Sequence, residues 1–171
     1  MQLERTQGPA SAGPFFDIAA RITGAATGTM LVALVSLVCL EALLRGGFNY
    51  SLGFAEELTG YGVVFMTFFG AALSLRSESM FQVHFLLDQW PEGTRRWLVR
   101  AFVLVALLIC VILAWKTKDL TLSSFSRGKF APTVLRTPLW IPQLILPLGF
   151  SVLALFLVEQ MLLTFRKSGD K

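Results

Sequence analysis

Titratable side chains are scarce in this chain: it has one histidine and two cysteines, and charged residues fill only 15% of its 171 positions. A single imidazole, His84, cannot supply a bis-histidine haem or a histidine-rich metal cluster, and its default role is interfacial hydrogen bonding. Cys39 and Cys110 fall in separate apolar segments without CxxC spacing, so they read as small buried side chains rather than a redox pair or metal site. No catalytic, cofactor-binding or metal-ligating set can be assembled from what remains. The shortage of charge also excludes an ordinary soluble domain. What is plentiful is hydrocarbon, with 54% hydrophobic residues and a mean hydropathy of +0.64. The length suits a single domain and leaves no room for a separate catalytic domain outside a membrane. A net charge of +4 does not mark a nucleic-acid surface, because lysine and arginine lie between apolar runs, where snorkelling and topology account for them.

Four apolar stretches, at about residues 22–44, 56–75, 97–116 and 138–160, predict an all-α integral membrane protein with four transmembrane helices. Residues 58–75 carry no charge and, at ~1.5 Å per residue, cross most of a ~30 Å hydrocarbon layer. Before the spans, residues 1–16 form a polar tail rich in small residues. The apolar run after it is too long for a signal peptide and lacks a cleavage site, so it reads as retained. Residues 17–166 make the membrane domain, and 167–171 a basic tail. Between spans two and three, residues 77–92 are too polar to cross and too apolar to float free. Met80, Phe81, Val83, Leu87 and Trp90, set among Gln82, His84, Asp88 and Gln89, suggest a short amphipathic helix lying in the interface.

Several residues near the span ends are candidates for a role. Glu41 and Arg45 are four apart with the acid first, the favourable order for a helical ion pair or for an anchor shared with another subunit. The stretch Gly46-Gly47-Phe48-Asn49-Tyr50-Ser51 reads as a turn. Glu56 and Glu57 then complement the dipole of the second helix. Capping is their plain account, and an ion relay or the docking of an external partner are the bolder ones. Gly24 and Gly28, spaced as GxxxG, and Gly70 with Ala71 offer small faces for helix contact. Arg76 marks the exit of span two to water, and Glu159 an interfacial position near the end of span four. Pro142 and Pro147 interrupt that span, and Pro147 should kink it or free a carbonyl for a neighbour. Beyond Trp115 no breaker occurs before Ser126, so the third helix can continue past the lipid.

Four spans put both termini on one side. That side would hold Arg5, Arg21, Arg76, Arg95, Arg96, Arg100, Arg166, Lys167 and Lys171; the other holds Arg45, Lys116, Lys118, Arg127, Lys129 and Arg136. The positive-inside rule therefore predicts cytoplasmic termini.

The order and spacing of several short motifs carry a resemblance. Arg45-Gly46-Gly47-Phe48-Asn49-Tyr50-Ser51-Leu52, Glu56-Glu57-Leu58, Gly70-Ala71-Ala72 through Arg76, Trp90-Pro91 to Arg95, Pro138-Leu139-Trp140-Ile141-Pro142 and Pro147-Leu148-Gly149 together resemble the DctQ family. This is the small membrane subunit of tripartite ATP-independent periplasmic (TRAP) transporters. Met80 and His84 depart from the family's frequent histidine and aspartate. The resemblance implies a non-enzymatic scaffold in the bacterial inner membrane, packed against a large M-type subunit that moves as an elevator. A periplasmic substrate-binding protein would deliver an organic acid, and coupling sodium ions would bind in the large subunit, with no cofactor in this one. Glu41, Arg45, Glu56, Glu57, Gly70, Ala71, Arg76 and Pro142 are then the candidate interface positions. In agreement, the chain shows no paired broken helices of the kind that build a midplane substrate site. The competing class is a small ion- or proton-conducting subunit using Glu41, Glu56, Glu57 and Glu159, which their positions near span ends disfavour.

Overall fold

The computed structural model describes residues 12–77, 92–133 and 135–169. Helix α1 runs Pro14–Phe48, α2 Ala55–Arg76, α3 Glu92–Ser126, α4 Trp140–Gln143 and α5 Ile145–Gly169. No strand occurs among the described residues, where the only sheet-like pairing is an isolated antiparallel bridge between Phe130 and Pro138. Four helical stretches, Pro14–Phe48, Ala55–Arg76, Trp97–Ser126 and Trp140–Thr164, are long and apolar enough to cross a membrane. The expected interfacial helix, with His84, lies outside the described residues.

Helix boundaries follow local chemistry. Pro14 sits at the start of α1, where its missing N–H costs nothing. The other end corrects the sequence reading, because the helix passes through Gly46 and Gly47 and stops only at Phe48. Glycine permits a turn without imposing one, and the left-handed residue that ends the helix is Asn49, at φ 51°. Glu56 and Glu57 do occupy the first turn of α2, although no side chain caps that helix. As the absence of a breaker suggested, α3 continues beyond Trp115 to Ser126, where Gly128 takes the left-handed conformation (φ +56°). Pro147 has no N–H to give the carbonyl of Gln143 one turn earlier. The helix is interrupted at Leu144, and the freed Gln143 oxygen lies 3.3 Å from Thr121 Oγ1 of α3, whose single proton it shares with the nearer Thr117 carbonyl at 2.9 Å.

The main packing pairs are α1 with α2, α2 with α5 and α5 with α3, so the long helices stand in the order α1, α2, α5, α3. The outer two have one long neighbour each. Two glycines let the row close up. A Cβ on Gly62 would stand 2.5 Å from the Leu34 side chain, and one on Gly149 2.6 Å from Phe68, whose ring meets Phe150 edge-on. By contrast Gly70, Gly24 and Gly28 face open space, so within this chain the contact on span two is made by Ala72, fully buried, rather than by Gly70. A side chain added at either glycine of the GxxxG pair would likewise meet nothing within 4 Å among the described residues. Six residues, Ala20, Ala72, Leu75, Val103, Phe156 and Leu157, form the buried core, close to the end of the row where Arg76 lies.

Candidate functional site

The charged residues gather at the two ends of the row, and each end uses them differently. At the first, α1 begins, α2 ends and α5 approaches its end. There Arg76 Nε donates to Glu159 Oε2 at 2.9 Å and Nη2 to Oε1 at 3.3 Å, while Nη2 also donates to Asp17 Oδ1. Arg76 is 9% exposed and Glu159 1%, whereas Asp17 remains half exposed. These positions correct the sequence reading of Arg76 as an exit to water and of Glu159 as interfacial. Each charge tolerates burial because the other sits against it with two hydrogen bonds, an arrangement that is stable only while both partners are present. The guanidinium also lies 5.9 Å from the Phe156 ring. Further hydrogen bonds surround the pair: Ala12 N–H donates to Glu159 Oε1 at 3.3 Å, and Gln160 Nε2 to the Leu75 carbonyl at 2.9 Å. Arg100 Nη2 reaches the Thr164 carbonyl at 3.4 Å. Asp17 escaped the sequence reading. The available signal was topological, because four spans bring the first turn of α1, the last turn of α2 and the C-terminal half of α5 to one side.

At the opposite end carboxylates serve the backbone and near neighbours. Glu41 accepts from Ser51 Oγ at 2.7 Å and from Leu52 N–H at 2.9 Å, holding the α1–α2 turn. Its oxygens therefore satisfy the turn, and no ion pair with the exposed Arg45 forms among the described residues. Glu57 accepts from Tyr61 Oη at 2.6 Å. Its other oxygen is buried and faces Thr133, Thr137 and the Leu135 backbone of the α3–α4 connection, though no hydrogen bond of normal length reaches it. Glu56 is exposed and shares with Glu57 the wall of an open groove of about 670 Å³, completed by Gly53, Gly60, Tyr61, Val64 and Thr133. Pro142 lies half-buried in α4, and Ala71 half-buried on α2.

Of the predicted site residues, the structure thus brings Glu56 and Glu57 together with the α3–α4 connection, sets Glu41 over its own turn, and removes Arg76 and Glu159 into a shared buried pair. The four acids of the ion-conducting alternative are split between the ends and form no continuous file. No group of three His, Cys, Asp or Glu side chains is placed to hold a metal ion among the described residues.

Fold and site define a multi-pass helical membrane protein whose buried charges tie helices together. Its residues 34–167 match the family model of the tripartite ATP-independent periplasmic transporters, DctQ component, and the chain belongs to that family. It is similar to two Haemophilus influenzae proteins, each named as a TRAP transporter small permease protein. The first is 22% identical over 141 residues, spanning 82% of this chain and 84% of the relative. The second is 26% identical over 100 residues, 56% of this chain and 62% of the relative.

Proposed function

We propose that this chain is the stationary scaffold of a TRAP transporter, a small permease subunit that frames a large, elevator-type M subunit during uptake of an organic acid. The observation that carries this reading is the single row of helices: no residue in the most apolar stretch of α1 is buried, and α3 leaves Val105, Ile112 and Leu113 exposed. A row offers two broad apolar faces, one suited to a partner and the other to lipid. The rigidity needed by a frame is supported by the Arg76–Glu159 pair and by the close approaches at Gly62 and Gly149. Substrate arrives on a periplasmic binding protein, and coupling sodium ions bind in the large subunit. Both termini face the cytoplasm of a bacterial inner membrane, in keeping with the excess of basic residues on their side.

Extraction from the native membrane in mild detergent, followed by mass spectrometry of what co-elutes, tests this reading. A stoichiometric polytopic partner is expected. A clean monomer or homo-oligomer that conducts ions by itself in liposomes would overturn the scaffold in favour of a channel. Cysteine labelling from either side of the membrane checks the orientation separately.

A further inference from the structure

The connection from α3 to α4 folds against the start of α2, and its contact with Glu57 is incomplete. Ala131 N–H donates to the Thr137 carbonyl and Leu139 N–H to that of Lys129, both at 2.9 Å, and Arg136 N–H closes a turn onto the Thr133 carbonyl at 3.0 Å, which together shape the connection into a hairpin. Glu57 meets this hairpin at Thr133, Thr137 and the Leu135 backbone, and Thr133 also completes the wall of the open groove that Glu56 and Glu57 share. Even so, Glu57 Oε2 is buried and no donor reaches it at hydrogen-bond length. A buried carboxylate oxygen in that state is unfavourable, and a small movement that brings it a donor relieves the cost.

A donor stands in the same hairpin. Arg136 lies between Leu135 and Thr137, two positions that face Glu57, yet its own side chain is exposed and makes no ion pair among the described residues. Its backbone is left-handed, at φ +47°, a conformation that non-glycine residues adopt sparingly and that collects where a side chain has a task. The rival cations are Arg127, just past the end of α3, and Lys129, at the foot of the hairpin where its carbonyl accepts from Leu139. Neither is flanked by residues that touch Glu57. No acid occurs between Asp119 and Glu159, so the connection holds no carboxylate of its own for Arg136, and those in front of it are Glu56 and Glu57. A guanidinium, with its planar fork of donors, also suits a carboxylate better than an ammonium does.

We propose that the α3–α4 hairpin is a lid with two positions over the Glu56–Glu57 groove, and that it closes when Arg136 turns inward and its guanidinium donates to Glu57 Oε2. The structure holds the open position. Closing brings Thr133 and Thr137 in with the arginine, narrows the groove and leaves Arg127 and Lys129 outside, so the charge displayed at this end of the helix row differs between the two positions. The lid rests on contacts within this chain alone, and it stands or falls independently of the scaffold reading.

The test uses the full chain, with any subunit that co-purifies, in lipid nanodiscs. In the Arg136→Lys variant a zero-length carbodiimide should join position 136 to Glu57 through an amide, found by mass spectrometry as a cross-linked peptide. A link from position 136 to Glu56 alone, or no link from it at all, overturns the proposal. A second measurement is made without that lysine. Amide exchange at Ala131 and Leu139 should be about threefold faster in Arg136→Gln, at least as fast in Glu57→Gln, and no faster in the double variant than in Glu57→Gln alone, because both substitutions remove one contact. Arg127→Gln should leave exchange unchanged. Additive effects in the double variant, or an effect of Arg127→Gln equal to that of Arg136→Gln, also overturn the lid, since the cations would then support the hairpin without Glu57.

Discussion

The two ends of the helix row hold their carboxylates in opposite ways. Where Arg76 lies, the bonds join residues 83 and 59 positions apart, from α2 to α5 and from α2 to α1. At the Glu41 and Glu57 end, the shortest bonds reach 10, 11 and 4 positions along the chain, and beyond these Glu57 turns toward Thr133, Leu135 and Thr137 of the α3–α4 connection. Charges at the first end therefore decide how helices stand against each other, while charges at the second shape the α1–α2 turn and hold α2 to the α3–α4 connection. The buried core lies with the first end, so tertiary order is concentrated there and the opposite end is left to loops and a groove.

This contrast can be broken or sharpened by substitution. The largest effect is expected from Glu159→Ala, which leaves the buried guanidinium with the half-exposed Asp17 alone and should cost ~3 kcal/mol, read as a large loss of thermal stability in detergent. Arg76→Met combined with Glu159→Met removes both charges and should recover most of the loss. Failure of the double variant to recover would mean that the pair does more than neutralise itself. Next, Gly149→Ala drives a methyl group toward the Phe68 Cβ and ring and should cost ~1–3 kcal/mol, while Gly70→Ala, with open space around it, should leave the isolated subunit unchanged. Equal losses at the two glycines would contradict the packing order of the row. Thr121→Val removes the shared donor facing the carbonyl freed by Pro147 and should cost ~0.5 kcal/mol, with faster amide exchange around residues 140–144. The smallest global effect belongs to Glu41→Gln, which should speed amide exchange at Leu52 while the melting temperature stays within error. A large fall in melting temperature for that variant would erase the distinction between the ends.

Much of the fold was legible because lipid imposes simple rules. Charge-free runs revealed the spans, the absence of a breaker after Trp115 foretold the long α3, and Pro147 announced a carbonyl in need of a partner. The site was harder to read. Arg76 and Glu159 each look like a span-end charge when taken alone, and their burial becomes visible only when two helices distant in sequence are set side by side. Gly70 and Gly149 illustrate the same limit from the packing side. Both are small residues in apolar helices, and which one meets a neighbour depends on how each helix is rotated, a quantity that a uniformly apolar sequence does not encode. Glu41 shows a third case, where an i to i+4 partner was available and the adjacent turn offered better donors.

The separation of Arg76 from Glu159 along the chain also bears on biogenesis. A ribosome completes α2 long before it reaches α5, so during most of synthesis the guanidinium has only Asp17 and water for company. Closure of the pair awaits the arrival of the last span, which also brings Phe156 into the core. Until then the first two helices form a hairpin whose buried partner has not yet been made. The ion pair thus acts as a late seal, formed only once all four spans have been made.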